Sequence, residues 1–228
     1  MNILGLQKLS LLDYPEKVAC TIFTRGCNFR CPFCHNASLV LHNDAELIPT
    51  DEVFAFLKKR AGLLDGVCVS GGEPLLQADI EDFLQKVKAL GYLIKLDTNG
   101  SFPEILKRLV QKKLVDYVAM DIKSSLLTYD RLTGIKTDLS AIKQSASFLM
   151  SKAVPFEFRT TTVKELHSID DFRMIGEWLC GNENYYIQSF VDSGDVIKDG
   201  LSAFSPDEIN SCLAQLSKNI PNAKPRGI

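Results

Sequence analysis

Short apolar runs alternate with amphipathic ones along this chain, and that alternation limits the fold more than any other feature. Six runs read as strands: "KVACTIF" at 17–23, "GVCVSGG" at 66–72, "YLIKLDTNG" at 92–100, "VDYVAMDIK" at 115–123, "VPFEFRTTTV" at 154–163 and "NYYIQSFV" at 184–191. Between and after them, residues 50–62, 78–91, 102–113, 138–153, 168–180 and 205–219 carry apolar positions at helical spacing. Thr50 and Ser205 are expected as N-caps, and Ser168 and Asp79 stand near helix starts. Pro103 suits a first turn, and Gly91 a helix end. Strand followed by helix implies right-handed βαβ units, a parallel sheet and helices outside it. Six units fall short of an eightfold closed barrel. The expected fold is therefore α/β, a partial (βα)6 barrel of parallel strands with outer helices. No Pro/Gly/Ser-rich linker divides residues 1–228, so a single domain is expected.

Of 228 residues, 46% are hydrophobic and 24% charged, enough for a full core. The net charge of −2 argues against a broad basic nucleic-acid footprint. No apolar run approaches the roughly 20 residues of a membrane span. The N-terminus lacks the pattern of a secretory signal, so a cytoplasmic location is expected. A disulfide framework is then a poor explanation for seven cysteines. Cys20, Cys68, Cys180 and Cys212 are scattered, and each reads as a buried thiol.

The other three, Cys27, Cys31 and Cys34, fall in "GCNFRCPFCHN" at 26–36, directly after the first strand. In parallel α/β folds, sites gather at the C-terminal ends of strands. Polar residues stand at those ends: Gly71, Gly72 and Glu73, then Asp97, Thr98 and Asn99, then Asp121 and Lys123, then Arg159 with Thr160 to Thr162, and Gln188. Three thiols in one short loop read as a metal site, with two alternatives. Zinc prefers four closed ligands, with His35 or Cys20 as the fourth, although His35 directly follows Cys34. A [4Fe–4S] cluster given only three cysteines keeps one iron open for a substrate.

CxxxCxxC with Phe33 before its last cysteine, followed by "SGGEP" at 70–74, resembles the radical S-adenosylmethionine enzymes. "SLLDYPEKVACTIFTRGC", "CHN" at 34–36, "DTNG" at 97–100 and "DIK" at 121–123 are similar to the glycyl-radical-enzyme activases, above all the anaerobic ribonucleoside-triphosphate reductase activating proteins. This resemblance spans about residues 9–190. It implies that Cys27, Cys31 and Cys34 hold three irons of a [4Fe–4S] cluster. S-adenosylmethionine chelates the fourth iron, and its cleavage yields a 5′-deoxyadenosyl radical that takes hydrogen from a glycine of the partner. It places Gly71 and Gly72 against the methionine moiety, Glu73 near its ammonium, and Phe33 against adenine, with Asn36 and Asn99 in the same cofactor-binding set. Asp97, Thr98 and Asp121 match positions for a monovalent cation beside the cofactor carboxylate. Lys123, Arg159 and His167 match groups that approach that carboxylate or the sulfonium. His35 is expected to buttress the loop, and His42 and Arg25 to lie at the surface. Related activases carry "DGPG" where residues 13–16 here read "DYPE", and Asp13 is a candidate for peptide contact. The chain supplies cysteines for one cluster, so reduced flavodoxin or ferredoxin is expected as electron donor. Alternatives are a pyruvate formate-lyase-type activase, a small-substrate enzyme such as 7-carboxy-7-deazaguanine synthase, and a zinc-binding interaction module.

Overall fold

The computed structural model describes residues 1–41, 45–182 and 184–227. His42 lies outside the described residues. The six expected strands form as β2 (Ala19–Thr24), β3 (Gly66–Gly71), β4 (Leu93–Thr98), β5 (Tyr117–Asp121), β6 (Phe156–Thr162) and β7 (Tyr185–Ser189). They pair in parallel and in chain order. Two edge strands were not legible as such. β1 (Ile3–Ser10) runs antiparallel to β2, and β8 (Lys224–Arg226) parallel to β7, giving an open sheet of eight strands. Pro225 sits in β8, an edge position where a missing N–H is tolerated.

Helices α2 (Thr50–Arg60), α3 (Ile80–Ala89), α4 (Pro103–Gln111), α6 (Leu139–Met150), α7 (Ile169–Trp178) and α8 (Pro206–Leu216) match the expected ones; short α1 (Ala37–Leu41) and α5 (Tyr129–Thr133) are additional. Ser168 and Ser205 close capping boxes with Asp171 and Glu208. Thr50 is not a cap: Pro49 holds that position without a side-chain bond, and Thr50 is the first helical residue. Asp79 caps no N–H and instead pairs with the Met1 ammonium. No described helix is long and apolar enough to cross a membrane.

Alternation along the strands separates two faces. Cys20, Ile22, Val67, Val69, Ile94, Leu96, Val118, Met120, Phe158 and Ile187 are buried in the apolar core with helix residues such as Leu57, Leu84, Leu106, Ile142 and Phe172. The alternate set is largely polar: Thr21, Ser70, Lys95, Asp97, Asp121, Glu157, Arg159, Thr161 and Gln188. Among these, Glu157 is fully buried. It accepts from Arg226 of β8 at 2.6 and 2.8 Å and from the Tyr117 hydroxyl at 3.0 Å. The Arg226 guanidinium also lies 3.6 Å from the Tyr186 ring centroid. β8 thus delivers the cation that makes a buried carboxylate tolerable.

Cys20, Cys68 and Cys212 are buried, and burial pushes the first and last up to about 12. Such thiols are inert. Cys180 departs from expectation: α7 ends at Trp178, and Cys180 is exposed beyond it.

Asp171 joins α7 to the loop after β5. Its carboxylate accepts from Ser125 and Thr128 hydroxyls, both at 2.6 Å, and from Ser168 N–H at 2.9 Å and Oγ at 2.7 Å. Burial opposes ionisation, but these bonds hold its pKa down to about 2. Its stabilising charge is therefore present above the ordinary Asp value and is lost as pH falls from there toward 2. Asp171→Ala is expected to lower stability by about 3 kcal/mol at pH 7 in urea unfolding, with the deficit shrinking below pH 4.

Candidate active site

The cysteine loop leaves β2 and is held from three sides. Gly26 N–H bonds the Leu39 carbonyl, Arg30 N–H bonds the Thr133 carbonyl of α5, and Lys198 N–H bonds the Pro32 carbonyl. After β7 the chain returns over the loop, where Asp195 accepts from Ser38 N–H and Oγ at the start of α1. Phe29 and Phe33 anchor the loop in the core at 2% and 4% exposure.

Cys27, Cys31 and Cys34 line one cavity of about 280 Å³. Its wall also includes Phe33, Asn36, Gly71, Gly72, Asp97, Asn99, Asp121, Lys123 and Arg159. Twelve of the fifteen expected site residues thus share a single chamber at the C-terminal ends of the strands. Burial pushes the Cys31 thiol up to about 12 and the Cys27 thiol to about 11, the latter with help from the Glu73 charge. Metal binding would have to displace those protons. No group of three His, Cys, Asp or Glu side chains among the described residues is placed to hold a single metal ion.

The remaining three expected residues, Glu73, Thr98 and His167, lie behind the wall. Glu73 is fully buried and accepts from Thr98 Oγ1 at 2.8 Å, Asn99 N–H at 2.7 Å and Leu75 N–H at 3.1 Å. Burial raises its pKa to about 7 against those bonds. It ties the turn after β3 to the turn after β4. His167, 6% exposed, accepts at Nδ1 from Val163 N–H and therefore donates from Nε2 to the Lys123 carbonyl at 2.9 Å. It fixes Lys123 and packs against Phe33, with ring centroids 6.5 Å apart. His35 differs in the other direction: its side chain is exposed at the mouth and does not underpin the loop.

The two glycines have a structural duty beyond the cavity. A Cβ at Gly72 would stand 1.9 Å from the Gly26 oxygen, and one at Gly71, whose φ is 110°, 2.4 Å from Thr24 N. Gly72 N–H bonds the Thr24 carbonyl and Glu73 N–H the Gly26 carbonyl. "SGGEP" therefore seats the cysteine loop directly.

Asp97 and Asp121 are crowded by cations. Asp97 pairs with Lys95, takes 3.5 Å contact from Arg159 and accepts from Ser70 Oγ at 2.9 Å. Asp121 pairs with Lys123 at 3.0 Å and Arg159 at 2.9 Å. Burial works to raise Asp121, but Lys123 and Arg159 hold it well below the usual carboxylate range. Sequence reading missed Lys95, although a lysine two residues before Asp97 in an apolar strand points to the same face. It also missed Thr21 and Phe23 in the wall. Asp13 lines the cavity too, accepting from Thr21 Oγ1 at 2.6 Å.

The family model of the Radical SAM superfamily matches residues 21–171. The chain belongs to the radical SAM superfamily. A Methanocaldococcus jannaschii protein, provisionally named a glycyl-radical enzyme activating enzyme, is 34% identical over 82% of this chain and 78% of its own length. A pyruvate formate-lyase-activating enzyme of Listeria monocytogenes is 34% identical over 52% of each chain. A GTP 3′,8-cyclase of Helicobacter pylori is 26% identical over 89% of this chain and 64% of its own. Among solved structures, Streptococcus suis SuiB bound to S-adenosylmethionine shares the fold at a TM-score of 0.68 and 14% identity, covering 88% of this chain and 48% of its own. A domain of a pyruvate-formate lyase-activating enzyme from Bacteroides vulgatus gives 0.58 at 17%, covering 71% and 99%.

As a radical SAM enzyme, the chain works with a [4Fe–4S] cluster and S-adenosylmethionine. The wall fits both: among the described residues three thiols and no fourth cysteine line the cavity, and Lys123 and Arg159 share its wall with Gly71 and Gly72. It does not fit the expected monovalent cation. Lys95, Lys123 and Arg159 already engage Asp97 and Asp121, and the Thr98 hydroxyl is turned to Glu73 and Gly100 N–H.

Proposed function

We propose that this chain, acting as one partial-barrel domain, is an activase that installs a glycyl radical on a partner enzyme, the anaerobic ribonucleoside-triphosphate reductase. When bound, the cluster and S-adenosylmethionine supply an electron and a 5′-deoxyadenosyl radical able to abstract a glycine hydrogen. Cys27, Cys31 and Cys34 would hold three irons and, being three, would leave the fourth to the sulfonium nucleotide. Lys123 and Arg159 offer positive charge to its carboxylate, and Phe33 an apolar face. Asn99 Nδ2 lies 3.8 Å from Cys27 Sγ and 2.9 Å from Asn28 Oδ1, steadying the loop. Asp13, Thr161 and Gln188 are polar groups of the wall beyond the expected cofactor contacts, suited to a peptide backbone.

The observation that carries this reading is the joint placement of "CHN", "DTNG" and "DIK" residues in one chamber with the three thiols. The Methanocaldococcus and Listeria relatives support it. The GTP 3′,8-cyclase likeness favours a nucleotide substrate as the second reading. Against that, the cations around Asp97 and Asp121 exceed the two aspartates by a single charge, enough for one carboxylate and too little for a triphosphate as well. Electrons would come from reduced flavodoxin or ferredoxin. The test is anaerobic incubation with a reductant, S-adenosylmethionine and candidate partners, read by electron paramagnetic resonance. A glycine-centred signal on the ribonucleotide reductase is expected. A signal on pyruvate formate-lyase alone moves the assignment to that partner, and turnover of GTP without either signal overturns it.

A further inference from the structure

Among the described residues Lys95 is the largest charged side chain fully enclosed in the sheet, at 1% exposure, and it is not one of the expected site residues. It stands on β4 two residues before Asp97, so both point to the concave face. Its ammonium pairs with Asp97 Oδ1, and its other recorded contact is the Cys68 sulfur at 3.8 Å. Asp97 Oδ2 is taken by Ser70 Oγ and Arg159. Burial would raise Asp97, but Arg159 and Lys95 hold it below its ordinary value.

We infer that the Lys95 ammonium, reaching Asp97 from behind the cavity wall, supplies the charge that an inorganic monovalent cation would bring to that aspartate, so that the site needs no such ion. The charge count supports this. Lys95, Lys123 and Arg159 bring three positive charges and Asp97 and Asp121 two negative ones, linked by four ion pairs. Around these two carboxylates the protein's own cations therefore already outnumber the anions by one, so the cofactor carboxylate meets positive charge without an added ion. A potassium or sodium ion added at Asp97 and Asp121 would stand next to three cations, a repulsion that a low-dielectric interior strengthens. The oxygen ligands it would need are also spoken for. Asp97 is bound by Lys95, Asp121 by Lys123 and Arg159, and the Thr98 hydroxyl donates to Glu73. A lysine is a fixed, singly charged donor on the protein, so unlike a free ion it cannot be washed out. Lys95 is a positioning residue: it acts on the cofactor through Asp97.

This inference rests on family membership and not on the choice of partner, and its readouts need no partner. Affinity of the cluster-loaded protein for S-adenosylmethionine is measured at equal ionic strength in potassium chloride and in choline chloride, whose methylated ammonium cannot take close oxygen ligands as a metal ion does. The wild-type affinity is expected to change by less than about twofold. In Lys95→Met, affinity in choline should fall about tenfold or more and be restored by potassium or sodium, a rescue that mere loss of packing would not show. Because that variant loses a buried cation and can fail to fold, a second measurement uses the wild type alone. Crystals of the loaded enzyme soaked in rubidium chloride should show no anomalous peak at Asp97. A rubidium peak there, a wild-type affinity that collapses in choline, or a folded Lys95→Met that ignores potassium each overturns the inference.

Discussion

Cys31→Ala is expected to leave a folded protein that neither keeps its cluster nor cleaves S-adenosylmethionine. Cys31 sits in the loop at 7% exposure among Phe29, Phe33 and neighbouring core residues, and its thiol donates no hydrogen bond among the described residues. Removing one sulfur therefore costs the fold little, about 1 kcal/mol of packing. The cluster loses far more. Two thiolates cannot retain a cubane against loss of iron, and no spare cysteine lines the cavity to replace the third. Anaerobically reconstituted Cys31→Ala should hold less than one iron per chain where the parent holds about four. Formation of 5′-deoxyadenosine should drop by about a thousandfold or more. Cys212→Ala is the control. It removes an equally buried thiol of α8, far along the chain from the loop, and should leave iron content unchanged. Full iron loading in Cys31→Ala would remove this residue from the ligand set.

The second large effect is expected at Gly72. Its backbone conformation is open to any residue, so the cost of Gly72→Ala is the collision alone. The new methyl would stand 1.9 Å from the Gly26 oxygen and 2.6 Å from its carbonyl carbon. Both are backbone atoms and cannot swing aside as a side chain would. Relief must come from separating the turn after β3 from the start of the cysteine loop, which breaks the Gly72–Thr24 and Glu73–Gly26 backbone bonds. A loss of about 3 kcal/mol or more in chemical unfolding follows, at the upper end for overpacking. Gly26 immediately precedes Cys27, so iron loading should fall as well. Gly62→Ala separates strain from collision: φ is 79° there, yet nothing lies within 4 Å of a Cβ, so only about 1 kcal/mol is expected.

Much of this was legible in the sequence because its signals are local. Six apolar runs became six parallel strands, since a strand buried against helices on one side keeps its register by alternation. The three cysteines, "DTNG" and "DIK" converge because residues at strand ends share an edge whatever the loops between them do. The losses come from contacts that no local pattern announces. β8 is three residues long, and its function is to bring Arg226 onto Glu157, 69 positions away in sequence. Glu73 is expected near a ligand from its place after β3, but nothing local announces that its oxygens also accept from residues 98, 99 and 75. His167 sits on a loop, where a solvated ring would be usual, yet the loop folds under Lys123. Departure from "DGPG" is accommodated without glycine: Glu16 takes a φ of 60°, and Tyr14 packs on Tyr117. Lys95, which pairs with Asp97, was not legible as a site residue because it lies inside a run read only as a strand.

The central claim is that three thiolates from one loop leave an iron to which S-adenosylmethionine binds directly. Electron–nuclear double resonance on the reduced cluster tests it, using cofactor labelled with nitrogen-15 at the amino group and oxygen-17 at the carboxylate. Strong hyperfine coupling to both labels is the predicted result. Binding of the labelled cofactor with no coupling to either nucleus, on a cluster closed by a fourth protein ligand, would contradict the account.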